Sequence, residues 1–270
     1  MSEAEPEAEP EVEARPERRV GWRPSRARLV EMTVVVFGVL IALGLENAVE
    51  EVRLRGDARK LEEAFRTDIL SAVQNSWERQ VVAPCHSQTL AALTERVATG
   101  EGDWEAAPTA LGEMILAVPL PYRAPIRPWV TASFDRALGS EAFKRIPRER
   151  ARAYAGLFTE IEYRRQENTA EYFAISGLAP LAFSQAEANA EVRADMLQNL
   201  SLVDRHSRLA LRQSEEIIER ALALTGEADI RPQVLESRSY FDRRMELAEA
   251  NYGPCVDRSA TERLMKQAAS

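Results

Sequence analysis

The sequence predicts an all-α protein, one N-terminal transmembrane helix continuing into an irregular antiparallel helical bundle, and three observations carry that prediction. Helix-forming residues dominate the composition, and no stretch shows sustained β-branched alternation with hairpin turns. Beyond residue 50, apolar residues recur at threes and fours along several long segments. One run, Leu29–Val49, stands apart, because its centre, Met32–Leu45, contains no charge.

As a helix, Leu29–Val49 would rise about 31 Å, close to the roughly 30 Å hydrocarbon thickness of a bilayer, with Glu31 and Glu46 near the two interfaces. Val34, Val35, Val36, Phe37, Val39, Leu40, Ile41, Leu43 and Leu45 each favour insertion by roughly 0.3–0.6 kcal/mol, for a sum of a few kcal/mol. A cleaved signal peptide is the first alternative. It needs small residues at the cleavage site, and Glu46 stands where the first should be. A buried helix of a soluble cytosolic protein is the second, since an uncharged stretch of this length also occurs in cores. The expected partner of the run is the lipid bilayer.

Ahead of it, residues 1–28 read as a disordered cytoplasmic tail. Met1–Arg19 holds seven glutamates alternating with Ala and Pro and almost no large apolar side chains, too little to bury. Arg15, Arg18, Arg19, Arg23, Arg26 and Arg28 precede the run; Arg53, Arg55, Arg59 and Lys60 follow it, among Glu50, Glu51 and Asp57. The positive-inside rule then keeps the N-terminus in the cytoplasm and exports residues 50–270, which makes this an inner-membrane protein with a periplasmic domain. Gly38 and Ala42 form a small-x-x-x-small pair, with Gly44 close by, and that spacing lets two such helices approach in lipid as a homodimer.

The 220 or so residues after the span suffice for one domain with its own core. Leu54, Ala58, Leu61, Phe65, Ile69, Ala72, Val73 and Trp77 mark one face of a first long helix, residues 51–82, expected to end before Pro84, with Gly56 as a weak point. A short helix, Ser87–Ala98, follows. Then comes a loop-rich stretch with a short helix near Thr109–Ala117 and prolines at 119, 121, 125 and 128. Trp129–Leu138, stopped by Gly139, and Ser140–Ile146 read as short helices before Pro147. Residues 148–176 read as a second long helix with Tyr154, Phe158, Ile161, Tyr172 and Ile175 on its buried face. Ser184 and Glu187 have capping-box spacing and would open a third, residues 185–225, with Gly226 as its stop. Its stripe is Val192, Met196, Leu200, Val203, Ala210, Ile217 and Ala221; segments Ser239–Ala250 and Ser259–Gln267 complete the chain.

Chemistry-bearing patterns are scarce. The net charge of −8 argues against a nucleic-acid partner, which needs clustered basic residues. Of 35 basic residues only Lys60, Lys144 and Lys266 are lysine, so the arginine excess is compositional and single arginines carry little information. His86 and His206 have no metal-ligand spacing around them, and no phosphate loop, dinucleotide fingerprint or nucleophile elbow is present. The acidic pairs Glu62–Glu63 and Glu215–Glu216 read as solvated helix surface. No catalytic residue, cofactor site or metal site is therefore expected. Cys85 and Cys255 each follow a proline at a segment boundary, and in an oxidising periplasm they would pair; in a cytosolic protein they would be two buried thiols.

The run Glu31–Leu43 followed by the helix through Leu61-Glu-Glu-Ala-Phe65-Arg-Thr-Asp68, together with Thr131–Ser140 ahead of Ile146-Pro147, resembles a set of uncharacterised bacterial single-pass inner-membrane proteins. In these, a Glu precedes a Gly-Val/Ile-Leu-Ala-Leu-type span and a helical domain of unknown function follows. The resemblance brings no activity or catalytic residue. The expectation is a non-enzymatic envelope protein that acts on a protein partner as a scaffold or sensor; an enzyme with an unrecognised carboxylate site is the competing class.

Overall fold

The computed structural model describes residues 26–99, 121–183 and 188–270, and among them every regular element is helical. The helices are α1 (Arg26–Thr99), α2 (Ala132–Ala137), α3 (Arg148–Ser176), α4 (Ala190–Leu222), α5 (Arg231–Glu236), α6 (Arg238–Tyr252) and α7 (Ala260–Ala269), with 3-10 turns at Phe143–Arg145, Ala179–Ala182 and Gly226–Ala228. Residues 1–25 of the expected tail, the helix near Thr109–Ala117 and the Ser184/Glu187 capping box lie outside the described residues, and the last three residues of that tail, 26–28, begin α1. The chain divides into two units at Val52/Arg53. In the first, α1 is the one helix among the described residues long and apolar enough to cross a membrane. None of its most apolar window is buried, and Phe37, Leu40 and Ile41 are each about 60% exposed.

Within the second unit α1 does not stop where expected. It passes through Gly56 and Pro84 and runs to Thr99, absorbing the separate helix predicted at Ser87–Ala98. A proline inside a helix removes one N–H and crowds the carbonyl four residues back, a cost of about 3 kcal/mol. The carbonyl that loses its donor is that of Gln80, and tertiary bonds hold the same turn in place: the Asp257 N–H donates to the neighbouring Val81 carbonyl at 2.8 Å, and Cys85 is joined to Cys255 with 5.1 Å between Cα atoms. A helix clamped by a distant segment on both sides of a proline need not end there, and the sequence rule for α1 fails for that reason.

The other boundaries follow local chemistry more closely. α3 starts directly after Pro147, whose ring-fixed φ of −52° suits a helix entrance. α4 opens at Asn189, whose side chain accepts the Val192 N–H at 2.9 Å, a cap worth about 1 kcal/mol. It ends at Leu222, three residues short of Thr225, and Gly226, at φ +66°, opens a 3-10 turn instead of serving as the helix stop. α2 is shorter than Trp129–Leu138, a single 3-10 turn replaces the predicted helix Ser140–Ile146, and α5 was not anticipated.

The predicted stripes face inward. Phe65, Ile69, Val73 and Trp77 of α1 are fully covered, as are Tyr154 and Ile161 of α3 and Val203, Ala210, Ile217 and Ala221 of α4. α3 and α4 pack against each other along their lengths. Phe65 is the centre of an aromatic group, 5.0–5.7 Å from the rings of Tyr154, Phe158 and Phe134. Phe134 in turn stacks on Phe158 at 4.7 Å, which fixes short α2 to α3. Trp77 meets Phe241 of α6 at 5.0 Å. Full burial of side chains this large contributes roughly 1.5–3 kcal/mol each.

Candidate functional site

The buried apolar residues form two clusters, not one. The larger takes α1 as far as Cys85, α3 as far as Ile161 and α4 from Ile217; the smaller takes α1 from Leu90, α3 from Ala174 and α4 as far as Val203. Between the clusters each of the three helices contributes covered or half-covered polar residues: His86 on α1, Arg164 and Glu171 on α3, Ser207 on α4. Arg79 of α1 joins this layer. Its Nη2 donates to Glu171 Oε1 and, at 3.0 Å, to Ser207 Oγ, which also accepts from the Tyr122 hydroxyl at 3.3 Å.

Two arginines converge on one carboxylate. Arg79 and Arg164, each 1% exposed, flank Glu171, with Arg164 Nη2 3.7 Å from Oε2. Trp129 lies 5.1 Å from the Arg164 guanidinium, in cation–π contact. Burial, and then the charge of Arg79, bring the Arg164 pKa down to about 10. Among the described residues, Arg164 Nε and Nη1 and Arg79 Nη1 have no hydrogen-bond partner. His86 is 2% exposed, with its ring 5.2 Å from Tyr122 and 5.8 Å from Tyr252. Burial, and then Arg79, hold it well below the ordinary histidine range, so it is neutral at pH 7. Burial raises Tyr122 to about 12. Breaking a buried ion pair by removing one partner typically costs 3–5 kcal/mol, so this layer aligns α1, α3 and α4 strongly.

Tyr252 connects the layer to a pocket of about 140 Å³ lined by Glu78, Arg123, Arg127, Arg244, Asn251 and Tyr252. Arg127 forks onto Glu78 with Nε–Oε2 at 2.6 Å and Nη2–Oε1 at 2.8 Å, and Arg244 Nη2 adds a third bond at 2.7 Å. Burial works against the Glu78 charge, but the bond and charge of Arg127, with Arg244, outweigh it and keep the carboxyl below its usual range. Arg123 lies over the Tyr252 ring at 5.5 Å and reaches Asn251 Oδ1 at 3.4 Å. Chemically this is a preorganised set of guanidinium donors around one carboxylate, an arrangement suited to recognising charge more than to moving protons.

The residues singled out from sequence fall in separate places. Cys85 and Cys255 form a disulfide. Gly38, Ala42 and Gly44 are exposed on α1, and a Cβ added at Gly38 or Gly44 would meet nothing within 4 Å. Glu62 is not surface, contrary to the reading of the Glu62–Glu63 pair. It is 3% exposed, 3.0 Å from Arg150 Nε and 3.4 Å from the Tyr154 hydroxyl, because it shares the inward face with Phe65 and Ala58. Burial raises its pKa against the pull of Arg150. His206 contacts Glu167 through Nδ1. Among the described residues no three His, Cys, Asp or Glu side chains gather as a metal site.

Sequence reasoning missed Arg79 and Arg164 because it discounted arginines as compositional, and with them Glu171, the carboxylate they share. The signal was their spacing. Arg79 lies seven residues after buried Ala72, and Arg164 and Glu171 interrupt the α3 stripe between Ile161 and Ile175 at steps of three, seven and four. Compared with family models, curated proteins and solved structures, the chain matches none.

Proposed function

We propose that this chain is a single-pass protein of the bacterial inner membrane, N-terminus in the cytoplasm, whose exported helical domain, an irregular antiparallel bundle, acts by binding an envelope partner and not by catalysis. The observation that carries the reading is the first unit of α1. Its apolar side chains from Val30 to Val49 are turned outward, whereas a core helix of a soluble protein would bury them. The arginine excess ahead of the span supports the orientation, and the Cys85–Cys255 bridge supports an oxidising compartment. In the anchor, the open surface at Gly38, Ala42 and Gly44 supports pairing with a second copy.

Topology tests the proposal. Alkaline phosphatase fused after Ser270 should be active and sediment with membranes, with release only by detergent. Activity instead from a reporter that works only in the cytoplasm would overturn the orientation, and a carbonate-soluble fusion would overturn the anchor.

A further inference from the structure

We infer that the arginine pocket beside Glu78 is a binding site for a small oxyanion, a phosphate or a carboxylate group carried on a small molecule. Three observations meet there. The first is the cavity itself, about 140 Å³, several times the ~30 Å³ that one water occupies in the liquid, and therefore roomy enough for an anion of several heavy atoms. The second is its lining. Three guanidiniums face it, against the single carboxylate of Glu78 among the described lining residues. Arg127 and Arg244 keep Glu78 ionised against the effect of burial, and it offsets one of the three charges.

The third is that the donors are already held. Arg127 is fixed in a two-bond fork on Glu78, and Arg244 spends one N–H on the same carboxylate out of the five that a guanidinium carries. Arg123 is braced from below by the Tyr252 ring and from the side by Asn251. Tyr252 is itself seated against His86, so the floor of the pocket rests on the buried polar layer. Guanidiniums fixed before the ligand arrives lose little side-chain entropy on binding, and their planar forks match the two oxygens of a carboxylate or phosphate. A purely structural role for Glu78 needs only the Arg127 fork. The additional arginines from the Arg123 segment and from α6 are what a recognition site requires and a strut does not.

The inference deepens the binding role proposed above, yet it does not depend on topology. The reporter fusion reads orientation, and calorimetry on the purified chain reads the pocket, so either can fail alone. The full chain in detergent micelles at pH 7 is titrated separately with sodium phosphate and with disodium succinate at ionic strength held constant with sodium chloride. Saturable heat from either is expected, and which of the two gives it assigns the group to the phosphate or the carboxylate class. Arg123→Gln leaves all three bonds to Glu78 in place and should weaken binding by about 10- to 100-fold, the loss of one charge-assisted hydrogen bond. Asn251→Asp, at an exposed position, keeps every arginine but adds a competing carboxylate, and should weaken binding by a comparable factor with an unchanged melting temperature in the absence of ligand. No saturable heat with either anion, or affinities indifferent to both substitutions, would overturn the site.

Discussion

Reducing the Cys85–Cys255 bridge should destabilise the second unit more than any single side-chain change, and the size of the effect follows from chain length. The bridge joins residues 170 positions apart. In the chain-entropy treatment the cross-link removes about 17 cal/mol/K from the unfolded ensemble for such a loop, which is about 5 kcal/mol at 25 °C. For a folded unit the size of Arg53–Ser270, each kcal/mol moves the melting temperature by about 2–4 °C, so reduction should lower it by about 10–20 °C. The local setting adds to this expectation. Pro84 directly precedes Cys85, and the Val81 carbonyl is satisfied by the Asp257 N–H, so opening the bridge also loosens the segment that lets α1 continue past a proline. The assay is urea or thermal unfolding of the purified chain, oxidised and reduced, followed by circular dichroism with thiol titration alongside. Reduced and oxidised chains that melt within about 3 °C of one another would refute the entropic argument, since that corresponds to only about 1 kcal/mol. Two free thiols in protein taken from its native membrane would refute the bridge itself.

Three further outcomes test the buried polar layer. Glu171→Gln leaves Arg79 and Arg164 without their shared carboxylate and should cost about 3–5 kcal/mol in urea unfolding, whereas Glu63→Gln on the exposed face of α1 should stay within about 0.5 kcal/mol; equal effects would show that the layer contributes nothing special. Acidification should act through His86. Its folded pKa lies below 6.5, so the neutral ring contributes stability that is present above that value and is lost as pH falls through the depressed native pKa, with a slope of up to about 1.4 kcal/mol per pH unit. His86→Phe, which keeps a ring between Tyr122 and Tyr252, should flatten the profile between pH 7 and 5, and an unchanged profile would rule the residue out as the acid-sensitive group. At the alkaline end the sign reverses. Tyr122, raised to about 12, contributes stability present below pH 10 and lost as pH rises toward 12.

The sequence by itself determined what depends on period and local chemistry. Apolar steps of three and four placed Phe65, Ile69, Val73 and Trp77 on one face, and that face is buried because a helix must repeat its heading every 3.6 residues whatever surrounds it. Proline before α3 and the apolar run of α1 were legible for the same reason. The two cysteines were legible as a pair only through their count and the oxidising compartment expected from the arginine bias, and the distance that joins them required the fold.

Tertiary structure alone decided three matters. Pro84 does not end α1 because residues 255 and 257, far along the chain and invisible to any local rule, clamp the helix at Cys85 and Val81 on either side of it. Glu62 is buried because Arg150 and Tyr154 on α3 meet it there, although the residue type and its acidic neighbour argue for solvent. Among many arginines, Arg79 and Arg164 became the centre of a buried layer, and Arg123, Arg127 and Arg244 the lining of a pocket, only when separate segments converged on Glu171 and Glu78. A charge's role is set by the dielectric and the partners around it, and those exist only after the chain has folded.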